Sequence, residues 1–263
     1  MNTRAGYDEN NRPAAFYLNV DNPSDDDYDY SSMMKYEGDE WVGYIADGTK
    51  KRTMVWDAAK TKVTATAATF LLDGAQDLAV QADQSAADAV NVKSSDYLYM
   101  AATEVDPSVT DGKLPVTLSH IMSKIRLSIT LGDEISSTDN PISDVVFKGT
   151  VASRNFNAGT WTDIIGVTAA DIIPWADTYA RSKAQYEAVF VPQTIAAGEF
   201  AVTFNIGERT FKWTSASAVT LKGGYEYTLE LSAGKDKIGE VYFSASAWAD
   251  GNGESGNIEI ETE

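Results

Sequence analysis

Apolar and polar residues alternate strictly through much of the second half of the chain. In Lys124 to Leu131, the apolar set Ile125, Leu127, Ile129 and Leu131 opposes Lys124, Arg126, Ser128 and Thr130. Phe200, Val202, Phe204 and Ile206 repeat the device, as do Tyr225, Tyr227, Leu229 and Leu231, and Val241, Phe243, Ala245 and Ala247. Successive side chains of a strand point to opposite faces, so each segment buries one face and wets the other. That pattern predicts antiparallel sheets packed face to face rather than parallel sheets covered on both sides. Turn residues punctuate the runs at Gly132-Asp133, Gly198, Gly207-Glu208, Gly223-Gly224, Gly234-Lys235 and Asp250-Gly251-Asn252-Gly253. Their spacing suits hairpin and Greek-key connections. Leu114 to Glu263 therefore reads as a β-sandwich of roughly seven or eight strands.

The first half is less regular but similar. Phe16, Leu18 and Val20 alternate with Tyr17 and Asn19, Val63 to Leu72 reads as a strand, and so does Asp96 to Ala102. Asp83 to Val90 is alanine-rich and suggests a short helix. The Pro/Asp/Gly-rich stretch Glu104 to Lys113 marks a junction, which divides the chain into an N-terminal sandwich over 1–110 and a C-terminal one over 111–263.

Charge and composition narrow the function. The 263 residues carry 21 basic and 39 acidic side chains, a net charge of −18, with no cysteine and one histidine, His120. A strongly negative chain without a basic stripe is a poor ligand for nucleic acid or an anionic lipid surface. Zinc ribbons, thiol nucleophiles and iron–sulfur clusters are excluded for want of cysteine. No apolar run reaches the roughly 18 residues of a membrane-spanning helix. The opening residues Met1, Asn2, Thr3 and Arg4 hold no hydrophobic signal core, as expected of a cytosolic protein or of one whose targeting segment lies outside this sequence.

Several residues in order resemble the signature of fimbrillin-like proteins of Bacteroidales bacteria. They are Tyr97-Leu98-Tyr99-Met100-Ala101, a Pro/Asp/Gly loop, Leu114-Pro115-Val116-Thr117-Leu118, Ser119-His120 and Ser123-Lys124-Ile125. The tail adds Leu221-Lys222-Gly223-Gly224-Tyr225-Glu226-Tyr227-Thr228-Leu229, a strand and Ala247-Trp248; Val145, Phe147-Lys148-Gly149 and Gly159-Thr160-Trp161 also fit. The resemblance spans about Thr3 to Trp248. It implies an all-β fold of two tandem transthyretin-like antiparallel β-sandwich domains. It also implies export as a lipoprotein precursor to the outer membrane and assembly into type V pili that mediate cell adhesion. A trypsin-like protease then removes a leading strand, and a strand of the next subunit fills the groove. An unpaired sheet edge does supply main-chain donors, acceptors and alternate apolar pockets for such an exchange. The family's lipidated cysteine is absent from these 263 residues, so any membrane contact is through an anchor outside them.

On that reading Arg4-Ala5 is the candidate processing site, since Arg12 precedes Pro13 and Arg52 lies too far into the domain. The last segment alternates Ile258, Ile260 and Thr262 with Glu259, Glu261 and Glu263, and either closes its own sandwich or is donated to a neighbour. Asp25-x-Asp27-x-Asp29 has the opening rhythm of a calcium loop. Tyr30 and Tyr36 stand where an EF-hand needs Gly and Glu, so a solvated acidic loop is the simpler reading. Tyr28, Tyr30, Tyr36 and Trp41 are candidate recognition aromatics for a host protein or glycan, against the alternative that Trp41 and Tyr44 pack inward. His120 lacks a nucleophile elbow or other catalytic surroundings, and reads as a buried or interdomain histidine satisfied by backbone. No catalytic set, cofactor site or metal-ligand set stands out, so the chain reads as a structural, adhesive protein rather than an enzyme. A second reading is a non-polymerising outer-membrane lipoprotein that binds glycan.

Overall fold

The computed structural model describes residues 13–45, 48–135, 141–180, 183–234, 238–248 and 257–260. The protein is all-β. In chain order the first eight strands are β1 (Ala15–Asp21), β2 (Tyr30–Glu37), β3 (Glu40–Tyr44), β4 (Val63–Ala68), β5 (Gln76–Ala79), β6 (Leu98–Val105), β7 (Leu114–Thr117) and β8 (Ser119–His120). Then come β9 (Ser123–Leu131), β10 (Ile142–Thr150), β11 (Ser153–Asn157), β12 (Thr160–Thr162), β13 (Ala170–Ile172), β14 (Trp175–Ala180) and β15 (Lys183–Phe190). The remainder are β16 (Gln193–Ile195), β17 (Ala201–Ile206), β18 (Arg209–Thr214), β19 (Val219–Leu221), β20 (Tyr225–Ala233), β21 (Ile238–Ala247) and β22 (Asn257–Ile260).

A six-stranded antiparallel sheet, in the order β3-β2-β1-β4-β6-β8, carries the first core. The alternation in β1 is realised literally: Phe16, Leu18 and Val20 are buried and Tyr17 and Asn19 are not. Met34, Ala65, Leu98 and Met100 join them, and Leu114, Val116 and Leu118 close the core from the opposite side. The second core lies among a five-stranded sheet (β14-β15-β9-β20-β21), a four-stranded sheet (β13-β10-β17-β18) and two smaller ones. A two-residue turn joins β11 to β12; Ala158 and Gly159 both adopt positive φ, as a type I′ turn requires.

Two expectations need correction. The helix expected at Asp83 to Val90 forms later, as a 3₁₀ turn at Ala87–Ala89 and a short α-helix at Val90–Ser94. Asp83 bonds the Ser85 N–H and hydroxyl, a local turn that competes with a helix start, and Asp88 and Ala89 take positive φ. The wholly antiparallel expectation fails at one place, because β20 runs parallel to β9 along its whole length. The polar face of β9 is covered too: Lys124 pairs with Glu226 at 2.6 Å, and Arg126 with Glu187 at 3.0 Å. Around the expected junction after residue 110 the two cores interleave. Leu114, Val116 and Leu118 sit in the first core, and Met122 is the first residue after them in the second. In the other direction, Val80, Ala89 and Val92 pack into the second core, and β5 pairs with β11.

Two buried glutamines complete the sheets where the backbone does not. The Gln84 side chain accepts from the Val189 N–H and donates to the Val189 carbonyl, both at 2.8 Å. Gln193 accepts from Val151 N–H at 2.8 Å and donates to its carbonyl at 3.1 Å. Each amide imitates a ladder rung and satisfies main-chain groups that would otherwise be buried unpaired.

Candidate functional site

Of the residues that sequence analysis attached to assembly, Ile258 and Ile260 pair with β7. Leu114 and Val116 are fully buried in the first core, and exposed Pro115 separates them. Among the described residues β7 has one ladder partner, the C-terminal strand β22. The pair is antiparallel, with Ile258 opposite Val116 and Ile260 opposite Leu114. The two expected apolar positions of the last segment are thus in register with the two buried positions of β7. β22 therefore joins the first core's strand, not the second sandwich that precedes it in sequence. Thr262 lies outside the described residues, as do Arg4 and Ala5.

The root of this terminal segment is held beside β7. Trp248 stacks on His120, with ring centroids 4.0 Å apart and planes within 4°. His120 Nδ1 lies 2.9 Å from the Asp96 carboxylate, and both side chains are buried. The Lys124 ammonium sits 4.8 Å from the Trp248 ring centroid. The histidine is thus buried, as its surroundings in sequence suggested, and its ring meets a carboxylate and an indole. No periodicity links His120 to a tryptophan 128 residues later, so the pairing was invisible in the sequence. The Ser123 hydroxyl, the nearest buried nucleophile in sequence, donates to the Lys222 carbonyl at 2.7 Å and is not aimed at the imidazole.

A second contact between the halves is aromatic. Phe70 and Tyr99 from the first half meet Phe156 from the second at 5.6 and 5.1 Å between ring centroids, with Tyr97 against Phe70 and Trp161 against Phe156 on either side. Burial pushes the Tyr97 and Tyr99 hydroxyls above the usual phenol range.

The candidate recognition aromatics do not form one exposed surface. Tyr30 is buried, and its hydroxyl donates to the Arg52 carbonyl at 2.9 Å. Trp41 packs edge-on to Phe16 at 4.8 Å and to its cross-strand neighbour Tyr36 at 5.5 Å. Tyr28 and Tyr36 are half-buried. Arg52 is exposed but tied down: its guanidinium donates to the carbonyls of Ser31 and Asp29, both at 3.0 Å.

The acidic loop is ordered by its own side chains. Asp25 accepts from the Asp27 N–H and starts a 3₁₀ turn over Asp26–Tyr28. Asp29 accepts from the Asn22 N–H, and Asn22 donates in turn to Asp57 at 3.0 Å. Asp57 also accepts from Thr61 N–H and the Ser24 hydroxyl, and these bonds, that of Asn22 first, hold its carboxyl far below the usual range. Among the described residues no group of three acidic or imidazole side chains is placed to hold a metal ion. Nor, among them, is any helix long and apolar enough to cross a membrane.

Comparison with known proteins agrees with this architecture. The fimbrillin-like family pattern matches residues 3–248. No curated protein matches the chain. A candidate cell adhesion protein from Bacteroides uniformis superposes with a TM-score of 0.63 at 20% identity, covering 94% of this chain and 95% of its own. One from Bacteroides ovatus gives 0.64 at 14% identity, with 96% and 93% covered. A fimbrial protein from Bacteroides vulgatus gives 0.54 at 14% identity, with 89% and 92% covered. At these identities the superpositions establish a shared fold, while the match over nearly the whole sequence establishes kinship: the chain belongs to the fimbrillin-like family, with the fimbrial or adhesive role at the cell surface that the family carries.

Proposed function

We propose that the chain is a fimbrial subunit or tip adhesin that joins its neighbours by strand exchange at β7. The observation that carries this reading is the pairing of β22 with β7. A strand whose alternate residues belong to the first core takes the last strand of the chain as its ladder partner. Such a groove accepts any chain that offers the same apolar alternation, its own or a neighbour's, because main-chain bonds and alternate pockets supply the recognition. Self-pairing keeps the edge closed until a competing strand arrives.

The rest of the proposed pathway draws on the family resemblance. The precursor is exported as a lipoprotein to the outer membrane, a trypsin-like protease cuts at Arg4-Ala5, and the mature subunit polymerises through its terminal strand. Two sandwiches in tandem divide where the chain passes from Leu118 to Met122. The reading is tested with the intact chain, a chain ending at Trp248, and a labelled peptide of residues 254–263. The shortened chain is expected to capture the peptide, the intact chain to resist it, and a peptide with Ile258→Asp and Ile260→Asp to be ignored by both. Peptide capture by neither chain, with the intact protein monomeric after complete trimming near Arg4, would refute strand exchange.

A further inference from the structure

A separate groove, remote from β7 in sequence, lies along the outer edge of β16 and encloses about 730 Å³. That volume falls within the range of sites that hold small ligands or short peptides. Its walls come from the end of β10 (Gly149, Val151), from β16, and from the end of β19 with Lys222. The hydrogen bonds around β16 and β19 fix which way its main chain faces. The Thr220 carbonyl accepts from the Tyr227 hydroxyl at 2.7 Å, and the Lys222 N–H donates to that hydroxyl at 2.8 Å. Both groups therefore point away from β16, which makes Thr194 and Thr220 a pair that exchanges no main-chain bonds. Their hydroxyls, 3.3 Å apart, fit the closer side-chain approach of such a pair. Thr194 must then turn its own N–H and carbonyl outward, away from β19. Among the described residues no protein group bonds either one. On the far wall the place of a neighbouring strand is taken at one point by the Gln193 amide, which engages Val151.

Charge gives the groove a direction. Arg154, which donates to the Pro192 carbonyl and pairs with rim residue Asp163 at 2.9 Å, lies at the Pro192 end together with exposed Lys222. Glu199 lines the other end. From Pro192 to Ala196 an extended chain rises about 13 Å, the length of four residues.

We propose that this groove binds a short extended peptide segment of another protein, paired with the Thr194 main chain and bearing an acidic side chain at the Arg154 and Lys222 end. An open main-chain rung beside exposed Thr194 and Thr220 is what strand addition uses, with main-chain bonds for affinity and end charges for orientation. None of the lining residues is aromatic, so a sugar ring would find no face to stack on.

The test uses the full chain and fluorescein-labelled Glu-Val-Thr-Val-Lys, followed by fluorescence anisotropy. Saturable binding is expected. Methylating the central peptide nitrogens removes one face of the ladder and is expected to weaken binding roughly three- to tenfold. Thr194→Pro removes the outward N–H without touching the bonds to β19 and is expected to do the same. Lys222→Gln is expected to weaken binding roughly three- to fivefold, and less at high salt. Binding that ignores both the methylated peptide and Lys222→Gln overturns the proposal. So does an absence of saturation at millimolar peptide, or preferential binding of an acidic disaccharide such as a uronate dimer. The methylated peptide keeps the test decisive if Thr194→Pro fails to fold.

Discussion

Replacing Gln84 by alanine is expected to loosen the seam between the two halves of the chain. Gln84 is fully buried, and its amide supplies both hydrogen bonds of the Val189 main chain while also donating to the Gln81 carbonyl at 3.0 Å. Val189 turns both groups away from β9, so no ladder bond replaces them. Leaving a buried donor and a buried acceptor unpaired costs about 1–3 kcal/mol each, so the substitution is expected to cost about 3 kcal/mol or more. For a chain above 150 residues each kcal/mol lowers Tm by roughly 2–4 °C, which predicts a fall of roughly 6–12 °C. Gln84→Met separates the contributions, because it keeps most of the volume but neither hydrogen bond, and should recover only the cavity part of the loss. Thermal unfolding gives the magnitude, and hydrogen exchange at the Val189 amide gives the cause, since that proton should become one of the faster-exchanging amides of β15. A loss below about 0.5 kcal/mol, with the Val189 amide still protected, would refute the assignment of Gln84 as a substitute rung.

Other perturbations probe the joint, the acidic loop and a tight turn. His120→Ala removes one hydrogen-bond partner of the buried Asp96 carboxylate and one face of the Trp248 stack; a hydrogen bond to a charged group is worth about 1.5–3 kcal/mol, readable from a denaturant midpoint, and an unchanged midpoint would remove His120 from the joint. Asp57 is held below its unfolded pKa of about 3.9. Its contribution is thus fully present above pH ~4 and drains away as pH falls further, because the unfolded chain takes up the proton first. Asp57→Asn should flatten the acid limb of the stability curve below pH ~4, and parallel limbs for the two proteins would contradict the bonding described. Gly149 adopts a φ of +80°, and a Cβ there would run into the Glu199 carbonyl oxygen. Gly149→Ala should therefore cost more than the roughly 1 kcal/mol of an unfavourable φ alone, and a melting temperature equal to the parent's would show that the β10 bend is not as tight as it looks.

The strands of both cores were legible because a half-buried strand writes its faces directly into the sequence. Phe16, Leu18 and Val20 are a clear case, whereas the pairing of Ile258 and Ile260 with β7 could not be read from the alternation of the last segment. What escaped depends on tertiary neighbours. Lys124 and Arg126 look like solvent-facing residues of β9 in the sequence, yet carboxylates from β15 and β20 cover them, and nothing local announces that. Nothing local marks Gln84 or Gln193 as main-chain partners, because Val189 and Val151 are distant in sequence. The helix was misplaced for a local reason, an aspartate turn at Asp83 stronger than the alanines that follow it. The acidic cluster was read correctly as a loop, but not that Asn22 and Asp57 anchor it.

The parallel alignment of β9 with β20 has a consequence for the timing of folding. Ser123 pairs with Tyr225, 102 residues further along, and every rung between the two strands spans that same interval. The central pair of the five-stranded sheet cannot form until the chain through Ala233 is available, and the β7–β22 pair waits longer still. Contacts this remote are slow to close, and until they close the apolar faces of β9 and β15 have no lasting cover. Such a chain stays extensible while it is being made, and it acquires its rigid form only once nearly all of it has emerged.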